Sequence, residues 1–504
     1  MELDFPSISV FLITFLVVVF KMVQSRKRSK VINLPPGPWN LPFIGNLHKL
    51  VGKLPHHVLR DMSKKYGPLM YLKLGQVPSI VISSPDIAEE VMKTNGVVFA
   101  HRPYILASRV FHYDSTDIVF SPYGNYWRQM RKISTMELLS TKRVQGLSPI
   151  RVEEISNLIK AIPGNGEETI NLSQRLFSLA YANTARAAFG KKIKNQEEFV
   201  ELVKEFSELA SFNIADMFPS FKLLQVIGRY QLKAMQKKVE VILDDLMDSH
   251  REKMTGTSSM EVEPQDDLLD VLLKVQKNDQ DLECPLTDEN VKAVILDIVV
   301  AGSETSSTNV EWALSEMIRN PKVMKKAQAE VREAFGEKGK IDETRLPELK
   351  YLQAVIKETL RFHPSAPLLL PRASSEECEI NGYVIPAKTS VYINAWAISH
   401  DPKHWPEPEE FNPDRFLDNK VDFRGGDFIY IPFGAGKRSC PGISYALANI
   451  QLQLANLLYH FDWKLPGGMK PEDLDMTEAF GLTVRRKNQL YVIPTPYHHH
   501  LPAN

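Results

Sequence analysis

Apolar residues recur every three or four positions over much of the chain, which is the spacing of an amphipathic helix. The stretches NQEEFVELVKEFSELA and QLKAMQKKVEVILDDLMDSHREK show this spacing clearly. Strand patterns are fewer, and they lie at Pro68–Ser84, in CEINGYVI and in TSVYINAWAI. Within CEINGYVI, the pair Asn381 and Gly382 predicts a hairpin turn. The pattern therefore predicts a mainly α protein with a small β-rich subdomain.

One long run, TDENVKAVILDIVVAGSETSSTNVEWALSEMIRNP, predicts a helix of about thirty residues. Thr287 is a good N-cap, and Asp288 and Glu289 suit the positive end of the helix dipole. Pro321 bounds the other end. Gly302, in the middle, should cost about 1 kcal/mol against alanine. That cost has two explanations, which are close helix packing and the close approach of a ligand.

The N-terminal segment differs from these amphipathic stretches, because the nineteen residues of Phe5–Val23 carry a single charge. As a helix this run would measure about 28 Å, just enough to span a bilayer. The acidic Glu2 and Asp4, and the lack of a small-x-small cleavage site, disfavour the alternative of a cleaved signal peptide. A basic cluster is formed by Lys21, Arg26, Lys27, Arg28 and Lys30. We predict a membrane anchor over residues 1–24, a basic and proline-rich linker over 25–38 that ends in LPPGP, and a cytosolic remainder.

The composition argues against several functions. Lys and Arg together number 61, as do Asp and Glu, so the chain has no overall charge that would attract nucleic acid. The three cysteines, Cys284, Cys378 and Cys440, form no CxxC pair, which disfavours a disulfide framework and a zinc or iron–sulfur site. The segment TGTSSMEVEPQDD, at Thr255–Asp267, is either an interdomain linker or a long surface loop.

Cys440 stands in FGAGKRSCPG, which runs from Phe433 to Gly442. The glycines allow the backbone to turn tightly and lie flat against a bulky ligand, and Phe433 supplies an apolar wall. A thiol beside Lys437 and Arg438 suits a thiolate bound to one metal ion, because a bound metal deprotonates cysteine. Haem iron is one metal that takes an axial cysteine thiolate. A glycine-rich turn around a buried cysteine is the alternative.

This stretch matches FxxGxRxCxG, the haem-binding loop of the cytochrome P-450 family, at every fixed position. Further family signatures are WRQMR at Trp127–Arg131, AGSET at Ala301–Thr305, ETLR at Glu358–Arg361 and FNPDRF at Phe411–Phe416. With the anchor and LPPGP, the resemblance covers essentially the whole chain. The sequence is most similar to plant microsomal enzymes that oxidise terpenoids, including in LPHHVLRDMSKKYGPLM and YHFDWKLPGGM. The resemblance implies the cytochrome P-450 fold with an N-terminal transmembrane anchor, and one haem-thiolate catalytic domain over residues 39–504.

The resemblance also implies roles for individual residues. Cys440 would bind the iron of haem b, and Glu304 and Thr305 would deliver protons where oxygen binds. The residues expected to contact the haem are Trp127, Arg131, Arg372, Phe433, Arg438 and Cys440. A buried triad that fixes the loop before the cysteine is expected from Glu358, Arg361 and Arg415.

Two of these assignments have simpler alternatives. Glu358 and Arg361 are spaced for a surface ion pair, which is worth less than about 1 kcal/mol. Trp127 and Arg131 share a helix face and the guanidinium fork suits a haem propionate, but a packed Trp beside a solvated Arg is the alternative. If one haem contacts both WRQMR and the cysteine loop, the TGTSSMEVEPQDD segment is a loop within one domain.

The pocket residues expected from the resemblance are largely apolar, and each alone could belong to the core. They are Ile298, Ala301, Leu368, Leu369, Phe480 and Leu482. Together they suggest a hydrophobic substrate held for regioselective oxidation. We expect a monooxygenase that uses O2 on a sesquiterpenoid or diterpenoid. The alternatives are an alkaloid, phenylpropanoid or flavonoid substrate, a haem-thiolate isomerase or dehydratase that does not use O2, and a haem sensor or carrier without turnover.

Electrons must come from outside, because the chain shows no glycine fingerprint for flavin or nicotinamide after a strand. The resemblance names NADPH–cytochrome P-450 reductase as the donor, docking near the cysteine loop. Its candidate contacts are Lys132, Lys437 and Arg438, for which a solvated basic rim is the alternative explanation. The anchor and the resemblance place the protein in the endoplasmic reticulum membrane as a single-pass protein, with its catalytic domain in the cytosol.

Overall fold

The computed structural model describes residues 33–497, apart from 163–167, 192–197, 200, 203–204, 207–212, 256–265, 279, 281 and 337–339. The predicted anchor, residues 25–32 of the predicted linker and most of the TGTSSMEVEPQDD segment lie outside the described residues. Among the helices within those ranges, none combines the length and the apolar character needed to cross a bilayer.

Helices make up most of the regular structure in the described ranges, as the periodicity predicts. The α-helices are α1 (Pro55–Tyr66), α2 (Pro85–Glu89), α3 (Leu106–Phe111), α4 (Asn125–Ile133), α5 (Thr141–Gly146), α6 (Ser148–Ala161), α7 (Leu172–Phe189), α8 (Ile214–Met217), α9 (Lys222–Thr255), α10 (Leu268–Lys277), α11 (Asp288–Arg319), α12 (Pro321–Phe335), α13 (Lys350–Phe362), α14 (Ala395–Ser399) and α15 (Ile443–His460). Short 3₁₀ helices lie at Leu47–Lys49, Val98–Ala100, Glu343–Glu348, Pro413–Phe416, Gly436–Arg438, Pro466–Gly468 and Pro471–Asp473. Two π-helical turns, Glu90–Thr94 and Ser134–Leu138, extend α2 and α4.

The strands are short and form small sheets. They are β1 (Leu69–Leu74), β2 (Val77–Ile82), β3 (Ile170–Asn171), β4 (Arg372–Ala373), β5 (Cys378–Ile380), β6 (Tyr383–Ile385), β7 (Ser390–Ile393), β8 (Phe461–Lys464), β9 (Glu478–Ala479), β10 (Arg485–Arg486) and β11 (Tyr491–Pro496). One sheet has the order β1-β2-β7-β4, in which only β2 and β7 pair in parallel. β3, β11 and β8 form a second, antiparallel sheet, and β5 with β6 and β9 with β10 form antiparallel pairs. Asn381 and Gly382 make the turn between β5 and β6, as predicted.

α11 is the central helix, and its ends lie where the sequence predicts them. The Thr287 side chain accepts the N–H of Asn290 at 3.3 Å, and the Asn290 side chain accepts the N–H of Thr287 at 3.0 Å. The helix ends at Arg319, and Pro321 begins the next one. Apolar residues occur all around α11, so it is buried against α7, α13 and α15.

One hydrophobic core continues on both sides of residues 256–265. Met247, near the end of α9, and Leu268, at the start of α10, are buried in the same apolar cluster. Phe189 of α7, Val294 of α11 and Tyr445 of α15 belong to this cluster too. The two flanks of the segment therefore share a core with the central helix.

Candidate functional site

The FGAGKRSCPG segment forms a tight loop that ends directly before α15. The N–H of Cys440 donates to the carbonyl of Phe433 at 2.9 Å, which closes the loop. Gly436 has a φ of 67°, and a Cβ on it would lie 2.1 Å from the carbonyl oxygen of Met92, so only glycine fits there. The N–H of Gly442 donates to Cys440 Sγ at 3.4 Å. The sulfur thus lies at the N-terminal end of a helix, where the backbone dipoles favour negative charge.

The Cys440 thiol nevertheless needs a further cation to ionise. Burial raises its pKa, whereas the Gly442 N–H and the Arg131 guanidinium lower it. Because the pKa stays raised, the protein by itself favours the neutral thiol. A metal cation on Sγ would supply the charge that stabilises the thiolate.

An arginine cluster lies beside this loop and consists of Arg102, Arg131, Arg372 and Arg438. Among the described residues, no carboxylate forms a salt bridge with any of the four, and their N–H groups donate instead to backbone carbonyls or a hydroxyl. Arg372 donates to the carbonyl of Ala435 at 2.9 Å, and its buried Nη1 has no hydrogen-bond partner. Burial lowers the pKa of Arg372, and the nearby Arg102 lowers it further. Burial lowers the pKa of Arg102 as well, and Asp117 and Asp297 raise it, but neither carboxylate forms a salt bridge with the cluster, so a direct counter-ion has to come from elsewhere.

Arg438 is buried and makes three hydrogen bonds to backbone carbonyls. Its guanidinium donates to the carbonyls of Ala100 and Ile118 at 2.8 and 3.3 Å, and also to that of Ser121. It lies over the ring of Trp127, with 4.2 Å between Cζ and the ring centroid. Burial lowers the pKa of Arg438, as do the neighbouring arginines. Arg438 is therefore fixed in position before any ligand binds.

Trp127 and Arg131 share one face of α4, as their spacing predicts. The indole N–H of Trp127 donates to the carbonyl of Ile118 at 2.9 Å, so the backbone already satisfies it. Arg131 is half-buried and donates to Ser439 Oγ at 3.4 Å, next to the cysteine. The tryptophan is thus a packed support for Arg438, whereas Arg131 is directed at the cysteine loop.

α11 has an opening in its otherwise buried middle. Ala301 is exposed although Val300 and Ser303 are buried, so the surface of the helix is open at this position. The hydroxyl of Thr305 donates to the carbonyl of Ala301 at 2.7 Å. Glu304, beside it, is half-buried. The two residues predicted to deliver protons therefore lie next to the exposed position.

Gly302 lies where two neighbouring helices approach α11. A Cβ at this position would lie 3.1 Å from Thr184 Cγ2 on α7 and 3.4 Å from the ring of Tyr445 on α15. The first distance is tight for a real Cβ, so the glycine allows these helices to pack closely on α11. The close approach of a ligand, which the resemblance favours, stays a prediction.

Glu358, Arg361 and Arg415 meet in one buried group, called the ionic triad below. Arg361 donates to both carboxylate oxygens of Glu358 at 2.7 and 2.8 Å, and Arg415 donates to the same carboxylate at 3.1 Å. Glu358 and Arg361 have no exposed side-chain surface, so this is not the surface pair that spacing alone allows. Glu358 also accepts the N–H of Asn412 at 2.8 Å. The triad therefore ties α13 to the FNPDRF segment.

A cavity of about 810 Å³ opens between β1–β2, the α8 region and the two loops at 366–371 and 480–482. Of the six predicted pocket residues, those on its wall are Leu368, Leu369, Phe480 and Leu482. The structure places Ile298 in the buried helical core instead, and it places Ala301 at the opening of α11. The predicted pocket residues on the two loops therefore line the cavity, whereas the two on the central helix do not.

Some residues near the site were not singled out by any motif, and these are Arg102, His112, Asp117 and Asp297. His112 lies between the two carboxylates, with Nδ1 3.2 Å from Asp117 Oδ2 and Nε2 3.4 Å from Asp297 Oδ1. Asp297 also accepts the N–H groups of Ile118 and Val119 at 2.8 and 3.1 Å. It thereby joins α11 to the loop that holds the arginine cluster. The sequence signals only Asp297 among these four residues, as a charge inside the apolar run VILDIVVAG.

The comparison with known proteins identifies the class. The family model described as Cytochrome P-450 matches residues 35–492. The chain therefore belongs to the cytochrome P-450 family of monooxygenases. Membership implies a haem-thiolate iron centre, O2, a hydrophobic substrate and a redox partner.

The curated relatives are plant enzymes. The chain is 54% identical over 488 residues to tabersonine 16-hydroxylase 1 from Catharanthus roseus, which covers 96% of each chain. It is 50% identical to salviol synthase from Salvia pomifera and to premnaspirodiene oxygenase from Hyoscyamus muticus, over 98% of both chains in each case. A solved structure of a zebrafish cytochrome P-450 with abiraterone is 26% identical, with a TM-score of 0.73, and covers 88% of this chain and 100% of that one.

The residues around Cys440 fit a haem. Its sulfur offers the thiolate, and the arginine cluster offers the propionates cations that have no salt-bridge partner among the described residues. The buried Nη1 of Arg372 is a donor that still lacks an acceptor. The exposed Ala301 leaves space beside the helix expected to lie over the haem. The donor set thus agrees with the cofactor that the family implies.

Proposed function

We propose that this protein hydroxylates or otherwise oxidises a sesquiterpenoid or diterpenoid, with O2 and with electrons from NADPH–cytochrome P-450 reductase. The observation that carries the proposal is the cavity of about 810 Å³, whose wall is mainly apolar. Leu368, Leu369, Phe480 and Leu482 would hold a hydrocarbon skeleton by its shape, with few polar contacts. The relative named premnaspirodiene oxygenase, after a diene, supports the same substrate class.

The cofactor would be haem b, bound through Cys440. Phe433 would pack beside it, and Trp127 would support Arg438. The propionates would be paired by Arg131, Arg372 and Arg438. Bound there, the haem supplies the iron that activates O2 for attack on a carbon of the substrate.

Glu304 and Thr305 would pass protons to the place where oxygen binds, and Thr305→Ala tests this role. The variant should keep its haem but divert electrons from product to hydrogen peroxide. Ser303→Ala is a matched control, because the Ser303 hydroxyl donates to the carbonyl of Val299 at 2.7 Å, one turn back as in Thr305. NADPH consumed, product and peroxide are measured together. Unchanged product per NADPH in Thr305→Ala would contradict the assignment.

We further propose that residues 1–24 anchor the protein in the endoplasmic reticulum membrane and that residues 39–504 lie in the cytosol. A glycan on Asn171, which begins an Asn-Leu-Ser sequon, would contradict this placement. For reductase docking, Lys132 and Lys437 are exposed. Arg438 is buried beneath the loop and is not available to a partner, so it is withdrawn from the predicted docking contacts.

Alkaloids are a second candidate substrate class, which one observation favours. Asp216 lines the cavity and could pair with a protonated amine. Burial raises its pKa to about 6, so it is largely ionised at neutral pH. Tabersonine 16-hydroxylase 1, a relative, is named for an alkaloid.

The deciding experiment supplies microsomes that contain the protein and the reductase with sesquiterpene and diterpene hydrocarbons, alkaloids and phenylpropanoids. An oxidised terpene whose formation needs both O2 and NADPH supports the proposal. Product from the alkaloids alone supports the second candidate. Product formed without O2 or NADPH would indicate an isomerase or dehydratase instead.

A further inference from the structure

The LPHH stretch, which the haem site does not use, contributes two histidines to a cluster around one carboxylate. His56 Nε2 lies 2.9 Å from Glu478 Oε2, and His57 Nε2 lies 3.5 Å from the same oxygen. His363 Nδ1 lies 3.7 Å from the other oxygen, Glu478 Oε1. The cluster thus joins the start of α1, the residue after α13 and β9, which are remote in sequence.

Two of these distances suit a shared cation better than hydrogen bonds. His57 Nε2 and His363 Nδ1 are buried atoms without a hydrogen-bond partner, at 3.5 and 3.7 Å from the Glu478 carboxylate. A tetrahedral zinc ion with ligands at about 2.0–2.1 Å holds neighbouring ligand atoms roughly 3.3–3.4 Å apart. The donor atoms of His56, His57 and Glu478 all lie within 4.8 Å of one another, so a modest adjustment would let them share one ion.

The orientation of His363 strengthens the case for a cation. Its Nε2 lies 2.7 Å from Glu316 Oε1, and its ring stacks on Trp312 with 3.9 Å between centroids. If Nε2 donates its hydrogen to Glu316, Nδ1 presents a lone pair to the carboxylate of Glu478. Two acceptors facing each other, one of them in a side chain that is 9% exposed, need a positive group, either a proton on Nδ1 or a metal ion bound by Glu478.

The other two histidines are held in place as well. Asn394 donates to the carbonyl of His56 at 2.8 Å, and the ring of His57 stacks on Trp396 with 4.2 Å between centroids. The nearby cation Arg60 is already balanced by two carboxylates, those of Asp61 and Glu409, at 3.2 and 3.0 Å. The His57 side chain is 40% exposed, which gives an ion a path into the cluster.

We propose that His56, His57 and Glu478 form a zinc site. They would give the ion three protein ligands, and a water would complete a tetrahedral shell. The ion would fix β9, the strand that leads into the cavity wall at 480–482, against the first helix, and His363, 3.7 Å from the other oxygen of Glu478, keeps the end of α13 beside the site.

The test uses the full-length, haem-loaded protein and zinc chloride as the probe. Because the C-terminal tail could bind zinc by itself, the parent chain has His498, His499 and His500 replaced by alanine. After incubation with zinc and desalting, the metal content per chain is measured by mass spectrometry. We expect about one zinc per chain in the parent, and loss of that zinc in His57→Asn and in Glu478→Gln. His404→Asn, which changes an exposed histidine elsewhere, should retain it.

Thermal unfolding of the same proteins provides the second measurement. Zinc should raise the unfolding midpoint of the parent and of the His404→Asn chain, but not that of His57→Asn. Since His57 is partly exposed, its replacement leaves the core intact, and a loss of zinc there is not a failure to fold. Zinc retained equally by parent and His57→Asn, or bound by the parent no better than by Glu478→Gln, overturns the proposal. In that case His363 is a protonated group shared by Glu316 and Glu478.

Discussion

The ionic triad and the arginine cluster are both buried, yet their charges are balanced differently. In the triad, Glu358 accepts hydrogen bonds from both arginines at 2.7 to 3.1 Å. In the cluster, none of the four arginines has a salt-bridge partner among the described residues. A buried cation that pairs directly with a carboxylate is compensated within the chain, whereas buried cations without such a pair indicate an anion still to be bound. Direct pairing with a carboxylate thus separates a structural group from a ligand-binding one.

Removing the one carboxylate of the triad should have the largest effect. Glu358→Gln leaves Arg361, which has no exposed side-chain surface, without its counter-ion. Breaking a buried pair in this way costs about 3–5 kcal/mol of folding free energy. Chemical denaturation measures this loss, and the yield of haem-loaded protein should fall with it.

Glu348→Gln is the matched control for that experiment. Glu348 pairs with Arg345 at 3.3 Å and its side chain is 64% exposed, so its free energy of unfolding should change by less than about 0.5 kcal/mol. If the two variants proved equally stable, the triad would not hold the chain together, and its burial would have no structural consequence.

Removing one cation from the arginine cluster should weaken haem binding without lowering the stability of the haem-free chain. The only described hydrogen bond that Arg372→Leu removes is the 2.9 Å bond from the guanidinium to the carbonyl of Ala435. A charged hydrogen bond is worth about 1.5–3 kcal/mol, so haem affinity should fall roughly 10- to 100-fold. Titration of the haem-free protein with haem, followed by absorbance, measures this change.

The stability of the haem-free Arg372→Leu protein is a second measurement on the arginine cluster. Burial lowers the pKa of Arg372 below its unfolded value, so the charged guanidinium opposes folding at neutral pH. Its removal should leave the free energy of unfolding of the haem-free chain unchanged or higher. Arg372→Lys keeps the charge without the fork and should bind haem with intermediate affinity. Equal haem affinity in all three proteins would show that the cluster is not the propionate site.

The two groups also differ in how far the sequence predicts them. Glu358 and Arg361 stand in a short motif, but their spacing alone indicates a surface pair, because burial depends on what packs over α13. Arg102 belongs to no motif and reaches the carbonyl of Leu370 across 268 residues of sequence. Such a contact depends on the whole fold, which local patterns do not contain.

Helix ends and cavity walls also differ in how far the sequence predicts them. Thr287 and Pro321 predict the ends of α11 because capping and the missing proline N–H act within a few residues. Ile298 and Leu368 are alike as apolar residues, yet one lies in the core and the other on the cavity wall. Apolar character specifies burial but not which side of a helix or loop remains open.

Asp216, the acidic side chain on the cavity wall, should give the smallest effect. The one described hydrogen bond of its carboxylate is with the N–H of Leu106 at 2.7 Å, and burial raises its pKa to about 6. Because its folded pKa of about 6 lies above the usual value of 3.8, ionisation of Asp216 lowers stability as pH rises from 3.8 to about 6, and the full cost is present at neutral pH. A substrate amine would supply the missing cation, and its affinity should then grow with the ionised fraction.

That fraction increases roughly fourfold between about pH 5.5 and 7.5. Amine affinity, measured by substrate-induced absorbance changes, should rise by this factor while the affinity for a neutral terpene stays constant. Asp216→Asn should abolish the pH dependence, whereas Asp114→Asn, at an 80% exposed side chain, should not. An amine affinity independent of pH in the unmodified protein would mean that Asp216 recognises no cation. The cavity would then act through its apolar wall alone, which is the property that the terpenoid proposal requires.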